Sequence, residues 1–229
     1  ISTADGTQWR SLISSWLNDR ATREENPDSE ETIAVLRECF DTYVNDTLFW
    51  MKVNVRSAIP LQDMCFVQSL LFMLDGSLGG KCLETPEAVQ TTFVYCAVWA
   101  FGSALTVSDD GTDNRKLFSD WWRSEWKQVK FPSRETVFDY WLDPETVTFD
   151  QWTKSPYFFS IDYDSKEPMG NVTVPTPETC SVTFWMTLLL KMRRGIMLCG
   201  PAGTGKTQMI KGLLGSQDPE EVIFTPINF

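Results

Sequence analysis

Gly200-Pro-Ala-Gly-Thr-Gly-Lys206-Thr207 fits the spacing G-x-x-x-x-G-K-[ST] of a phosphate-binding loop. Glycines at 200, 203 and 205 let the main chain curl until successive N–H groups share one concavity, with Pro201, Ala202 and Thr204 between them. A helix starting at Lys206 aims its unpaired amides, Gln208 included, and its positive dipole end at the same point. Lys206 offers a mobile cation to the β- and γ-phosphates. Thr207 offers a hydroxyl to Mg²⁺, which prefers oxygen ligands. The chemistry implied is a grip on the phosphate tail of ATP or ADP.

The flanks have the required order of strand, loop and helix. Gly195-Ile-Met-Leu-Cys199 reads as a buried parallel strand. Lys206 to Leu214 reads as a helix with Met209, Ile210, Leu213 and Leu214 inward and Gly215 as its stop. Upstream, Thr176 is an N-cap and Pro177 an N1 residue, opening a helix that runs through Phe184, Leu188 and Leu189 to Arg194. The short loop before that helix either packs against a nucleotide base or simply caps the helix. Hydrolysis also needs an acid ending an apolar strand, to hold Mg²⁺ and orient water. Leu71-Phe-Met-Leu-Asp75 imitates that pattern, but it precedes the loop, is followed by Gly76 rather than Glu, and has helical surroundings. It reads as a helix end. After Lys206 only 23 residues follow, with Val222-Ile-Phe224 as a second strand, so the site reads as incomplete.

The first half of the chain is helical in pattern. Trp9, Leu12, Ile13 and Trp16 share one helical face, and Asn18 to Glu31 reads as a polar loop. Ile33, Leu36, Phe40, Tyr43 and Val44 continue at helical spacing. Pro60 is expected to open a helix with Met64, Val67, Leu70, Leu71 and Leu74 inward, ended by Gly76, Gly79 and Gly80. Ala88 to Leu105 reads as a buried helix. The acidic run from Ser108 to Asn114 lacks the alternating ligands and closing Glu of a calcium loop and reads as solvated. Phe118, Trp122, Trp126 and Val129 line one face of a further helix, stopped by Phe131-Pro132-Ser133. Its tryptophans among Arg and Lys read as buried rings with snorkelling charges rather than a base-stacking surface. Thr136 to Leu142 is strand-like, and five prolines between Asp143 and Pro177 suggest an extended connection.

Composition narrows the function. With 42% apolar and 22% charged residues, the 229-residue chain is of ordinary globular type. Its 31 Asp and Glu against 20 Lys and Arg, net −11, argue against a nucleic-acid partner, which needs a basic surface. The absence of histidine removes Ser–His–Asp, Cys–His and HExxH chemistry from these residues. Six cysteines without CxxC spacing read as reduced, structural and cytosolic, which empties the sequons at Asn45 and Asn171 of meaning. No apolar run is long enough to span a membrane, and no membrane partner is expected. The start, Ile1-Ser-Thr-Ala-Asp, reads as a cut from something longer.

The block Phe118-Ser-Asp-Trp-Trp-Arg-Ser-Glu-Trp-Lys-Gln-Val-Lys-Phe-Pro-Ser133, with Thr136-Val-Phe-Asp-Tyr140, closely resembles dynein heavy chains, axonemal ones above all. Val98 to Gly102, Val174 to Thr179, Arg194 to Thr207 and Ile227-Asn-Phe229 resemble the same stretch. The resemblance implies a mostly α-helical N-terminal part over 1–130, the lid and extension of the second AAA+ module. A connection with short strands over 131–170 and the start of an α/β P-loop domain, AAA3, over 171–229 would follow. It implies that Gly203 to Thr207 bind ATP or ADP, that Thr207 meets Mg²⁺, and that Val174, Pro175 and Thr176 border the adenine. In dyneins this site is regulatory, gating how the main ATPase site couples to microtubule release. The implied whole is an ATP-driven, minus-end-directed microtubule motor of the cytoplasm and cytoskeleton, working in the axoneme of cilia or flagella. Its expected partners are neighbouring AAA+ modules of the same chain, with intermediate and light chains and microtubules met through other parts. Without a Walker B acid, this segment is not expected to hydrolyse ATP alone. The alternative from a different class is a helical scaffold that holds nucleotide structurally and never turns it over.

Overall fold

The computed structural model describes residues 8–132, 135–160, 174–220, 222–225 and 227. The chain divides into two compact units, 1–151 and 152–229. The Asn171 sequon and the first seven residues lie outside the described ones.

The first unit is built around one helix that is apolar on every side. Five helices, α1 (Gln8–Thr22), α2 (Glu30–Asn54), α3 (Asp63–Ser77), α4 (Pro86–Gly102) and α5 (Asn114–Glu125), precede strands β1 (Tyr140–Asp143) and β2 (Thr148–Gln151). Every residue of α4 from Thr92 to Gly102 is buried, as an all-round apolar helix requires. It starts cleanly because Thr85 accepts a bond from the Ala88 amide and Pro86 needs no donor at N1. Helices α2 and α3 and strand β1 pack on it. Phe40 meets Phe93 edge-on at 4.9 Å, and Tyr43 stacks on Trp122 at 5.9 Å. These contacts weld α2, α4 and α5 into one core. The two strands form an antiparallel hairpin, Tyr140 opposite Gln151 and Asp143 opposite Thr148.

Several boundaries differ from the sequence expectation. Helix α1 runs on to Thr22, and α2 begins at Glu30 behind the N-cap Ser29, so the polar loop is shorter than Asn18–Glu31. Its acidic residue Asp28 is no solvated loop charge: it is buried against Arg20, Nε to Oδ2 2.6 Å, and that pairing holds the turn shut. Pro60 does not open α3, which starts at Asp63 after Gln62 without a side-chain cap. Helix α5 stops at Glu125, because Trp126 leaves the helix as its C-cap, before Val129. Thr136 to Asp139 is a turn, closed by Asp139 N–H on the Thr136 carbonyl and by the Asp139 carboxylate on Thr136, so β1 begins only at Tyr140.

Leu71 to Asp75 lies inside α3. The Asp75 carboxylate accepts the Trp16 indole N–H at 2.7 Å, tying α3 to α1. The acidic run before α5 closes on itself, with the Ser108 amide on the Thr112 carbonyl and the Thr112 amide on the Asp110 carboxylate. Hydrogen bonds from Thr112, its amide first, hold the Asp110 carboxyl below its ordinary value. Among the described residues no group of three or more Cys, Asp or Glu is placed to hold a metal ion, and no helix is long and apolar enough to cross a membrane. All six cysteines are free thiols, four of them buried. Burial pushes the Cys39 and Cys96 thiols up to about 12.

The second unit carries a short 3-10 turn at Trp152–Lys154 and helices α6 (Pro177–Lys191) and α7 (Lys206–Gly215). Trp152 and Tyr157 both pack on Phe184 of α6, and the Cys180 thiol donates to the Tyr157 carbonyl at 3.2 Å. Among the described residues the two expected strands do not form. Gly195 to Cys199 has no ladder partner among the described residues and Met197 is 69% exposed; around Val222 to Phe224, Ile223 is 90% exposed. A parallel strand draws its hydrogen bonds from neighbours on either side, and none of the described residues supplies them here.

Candidate functional site

Gly200 to Thr207 forms an exposed loop running straight into α7. Two glycines make the curl. Gly203 has φ +82° and Gly205, the N-cap of α7, has φ +79°, a left-handed conformation that side chains resist. A Cβ at either would meet nothing within 4 Å, so the restriction is in the backbone and the space in front is open. The first helical bond of α7 runs from the Met209 amide to the Gly205 carbonyl at 2.9 Å. Among the described residues, the amides of Lys206, Thr207 and Gln208 find no carbonyl of their own chain. They form a positive cluster at the helix start.

Lys206 crosses the loop. Its ammonium donates to the Gly200 carbonyl at 2.9 Å, the Pro201 carbonyl at 2.6 Å and the Thr204 hydroxyl at 3.2 Å. The Thr204 hydroxyl donates in turn to Pro201 O at 3.0 Å. The cation is thus held against the loop's own carbonyls, rather than swinging in solvent. Residue types gave no hint of this seat, because it is made of main-chain carbonyls. Ala202 and Thr207 are exposed, and the Thr207 hydroxyl stands in the first turn of α7.

Inward packing of α7 is narrower than its sequence pattern suggests. Leu213 is buried and Met209 and Leu214 half-buried, while Ile210 is exposed. Gly215 is the last helical residue rather than the stop beyond it.

Val174, Pro175 and Thr176 stand at the head of α6. Thr176 and Thr179 form a reciprocal capping box, and the Thr179 hydroxyl also reaches the Val174 carbonyl at 3.5 Å. The hydrogen bonds of these residues serve the cap, and Val174 is left 64% exposed.

The arrangement suits a phosphate anion and a hard cation. Main-chain donors, an ammonium and a hydroxyl stand within one short loop and the first turn of α7, and no carboxylate stands among Gly200 to Gln208 to repel an anion. Mg²⁺ takes oxygen ligands, and Thr207 Oγ1 is the protein oxygen that would meet it beside the phosphates.

Two protein families match the chain. The Dynein heavy chain AAA lid domain covers residues 36–154, and the P-loop containing dynein motor region covers 161–229. The chain is 37% identical over 226 residues to the Dynein alpha chain, flagellar outer arm, of Chlamydomonas reinhardtii. It is 35% identical over 231 residues to human Dynein axonemal heavy chain 9 and 30% identical over 234 residues to the Dynein beta chain, flagellar outer arm, of Chlamydomonas reinhardtii. The matches cover 96% to 98% of this chain but 5% of each relative.

Proposed function

Because the chain belongs to the dynein heavy chain family, we propose that it is the stretch of an axonemal motor in which the lid of the second AAA+ module gives way to the third. The motor is ATP-driven and minus-end-directed, and works on microtubules in cilia or flagella, as the flagellar and axonemal names of its relatives suggest. Gly200 to Gln208 hold ATP or ADP by the phosphates, Thr207 completes the Mg²⁺ shell, and Val174 to Thr176 border the adenine. Bound Mg²⁺ supplies charge neutralisation to the phosphates. The chain's own part is grip: main-chain donors and the Lys206 ammonium fix the phosphate tail, and α7 carries that fixed point into the module. Neighbouring modules of the same heavy chain would read the site as bound or empty. Intermediate chains, light chains and microtubules are met elsewhere in the heavy chain.

The observation that supports this most is the seating of Lys206 across a loop whose two glycines adopt the left-handed conformation at a helix start. The test is a full heavy chain carrying Lys206→Ala, titrated with a fluorescent nucleotide. Loss of a single equivalent of bound nucleotide is expected, and unchanged stoichiometry and affinity would sink the reading.

A further inference from the structure

The side chain of Thr204 bridges the two ends of the phosphate loop. Its hydroxyl donates to the Pro201 carbonyl at 3.0 Å and accepts from the Lys206 ammonium at 3.2 Å. A Cβ placed on Gly200 would lie 3.4 Å from the same oxygen, so the hydroxyl reaches back to the first residue of the loop. The Pro201 carbonyl that it holds is also the nearest partner of the ammonium, at 2.6 Å, with the Gly200 carbonyl at 2.9 Å. An ammonium has three N–H donors. The oxygens of Gly200, Pro201 and Thr204 supply one acceptor for each.

We infer that Thr204 is the positioning residue of Lys206, acting through its hydroxyl rather than through the loop's main chain. The inference deepens the nucleotide reading of this loop and rests on it. A lysine head on its flexible four-carbon stem must be immobilised before it can grip a phosphate, and a head already fixed spares that ordering cost. Two restraints make the seat stiff. The ring of Pro201 fixes its φ, and the Thr204 hydroxyl restrains its carbonyl from across the loop. A phosphate oxygen needs one of the three N–H groups. The bond to the hydroxyl is the longest of the three and ends on a neutral side chain, so it exchanges most easily. The bond from Thr204 to Pro201 survives that exchange, because it uses the hydroxyl's own proton. The ammonium therefore keeps its place on the carbonyls while it turns one donor to the ligand.

The test takes the full heavy chain stripped of nucleotide and treats it with a dilute acylating reagent, mapping the modified lysines by mass spectrometry. Thr204→Val keeps the shape of the side chain and removes the hydroxyl. It is expected to raise the acylation rate of Lys206, relative to the exposed Lys211, by about fivefold, as the loss of one hydrogen bond implies. Thr204→Ser, which restores the hydroxyl, is expected to return the parental rate. Affinity for a fluorescent nucleotide at the equivalent that Lys206→Ala removes should fall about fivefold in the valine variant and hold in the serine variant. An unchanged acylation rate with valine overturns the inference. So does a serine variant that behaves like valine, or a freed lysine with undiminished affinity. The acylation comparison needs no nucleotide, so a failure of positioning is told apart from a failure of the nucleotide reading.

Discussion

Gly102, the last residue of α4, lies directly against the ring of Phe138: a methyl group at 102 would come within 2.7 Å of Phe138 Cε1 and closer still to Cζ. Phe118 Cδ1 would stand 3.3 Å from the same methyl group. In an open helix Gly→Ala stabilises by up to about 1 kcal/mol. Here the sign reverses. Gly102→Ala is expected to destabilise the first unit by about 1–3 kcal/mol through overpacking, read as a lower urea midpoint by tryptophan fluorescence. Adding Phe138→Leu should recover part of the loss, and a Gly102→Ala variant as stable as the parent would contradict the close approach.

The buried pair Arg20–Asp28 makes a second stability prediction. Their side chains are 2% and 1% exposed, with two hydrogen bonds at 2.6 and 3.1 Å, and Asp75 stands 3.7 Å from the same guanidinium. Asp28→Asn leaves most of a buried charge without its counterion and should cost about 3 kcal/mol. Replacing Arg20 and Asp28 together by Met and Leu should cost less, since Arg23, which also pairs with Asp28 at 2.8 Å, is one-third exposed and Asp75 keeps its bond from Trp16. Equal losses for the single and double variants would mean that the pair does not act as an ion pair.

Two substitutions separate the parts of the phosphate loop. Gly205→Val forces a β-branched residue into φ +79° and should weaken nucleotide binding in the full heavy chain by about tenfold or more, through a strain of about 1–3 kcal/mol. Thr207→Ala leaves the curl intact and removes the hydroxyl offered to the cation. Its nucleotide affinity should fall about tenfold in the presence of Mg²⁺ and little in its absence. The comparison is a titration with and without a chelator, and a loss independent of Mg²⁺ would assign Thr207 to another role.

Alkali should loosen the first unit before it reaches the tyrosines of an unfolded chain. The Cys39 and Cys96 thiols rise from an ordinary 9.0 to about 12, chiefly because burial penalises the thiolate, with Glu38 adding repulsion at Cys39. Below 9 both thiols keep their protons whether the chain is folded or not, so nothing is lost. Between 9 and 12 the unfolded chain gives up those protons and the folded chain does not, so stability falls as pH rises, by about 1 kcal/mol per pH unit for each thiol. Tyr43, raised from 10.0 to about 12, adds to the fall above 10. Urea midpoints under reducing conditions at several pH values above neutrality measure the slope. Cys39→Ala with Cys96→Ala should reduce it between 9 and 10, leaving the share of Cys82, whose thiol burial also raises.

What could be read from sequence was whatever local chemistry decides. The N-cap at Thr176, the apolar run of α4 and the glycine–lysine loop all follow from residues a few positions apart. What could not be read depends on partners far along the chain or on main-chain geometry. Asp28 looked like a loop acid because Arg20 reaches it only once α1 extends past Asn18. The apolar runs at Gly195–Cys199 and Val222–Phe224 carry strand composition, but a strand is a relation between segments and the described residues hold no neighbour for either. Val129 kept the helical period of α5, yet Trp126 ended the helix by turning its ring onto Tyr43, 5.1 Å away and edge-on.

The flat stack of Trp50 on Trp121, ring centres 4.4 Å apart, makes the joint between α2 and α5 optically legible. Two indoles held face to face at this spacing couple their electronic transitions, so the near-ultraviolet signal of the pair depends on the two helices staying together. Anything that pries them apart would change that signal while leaving helix content unchanged, a label-free gauge of strain in this unit.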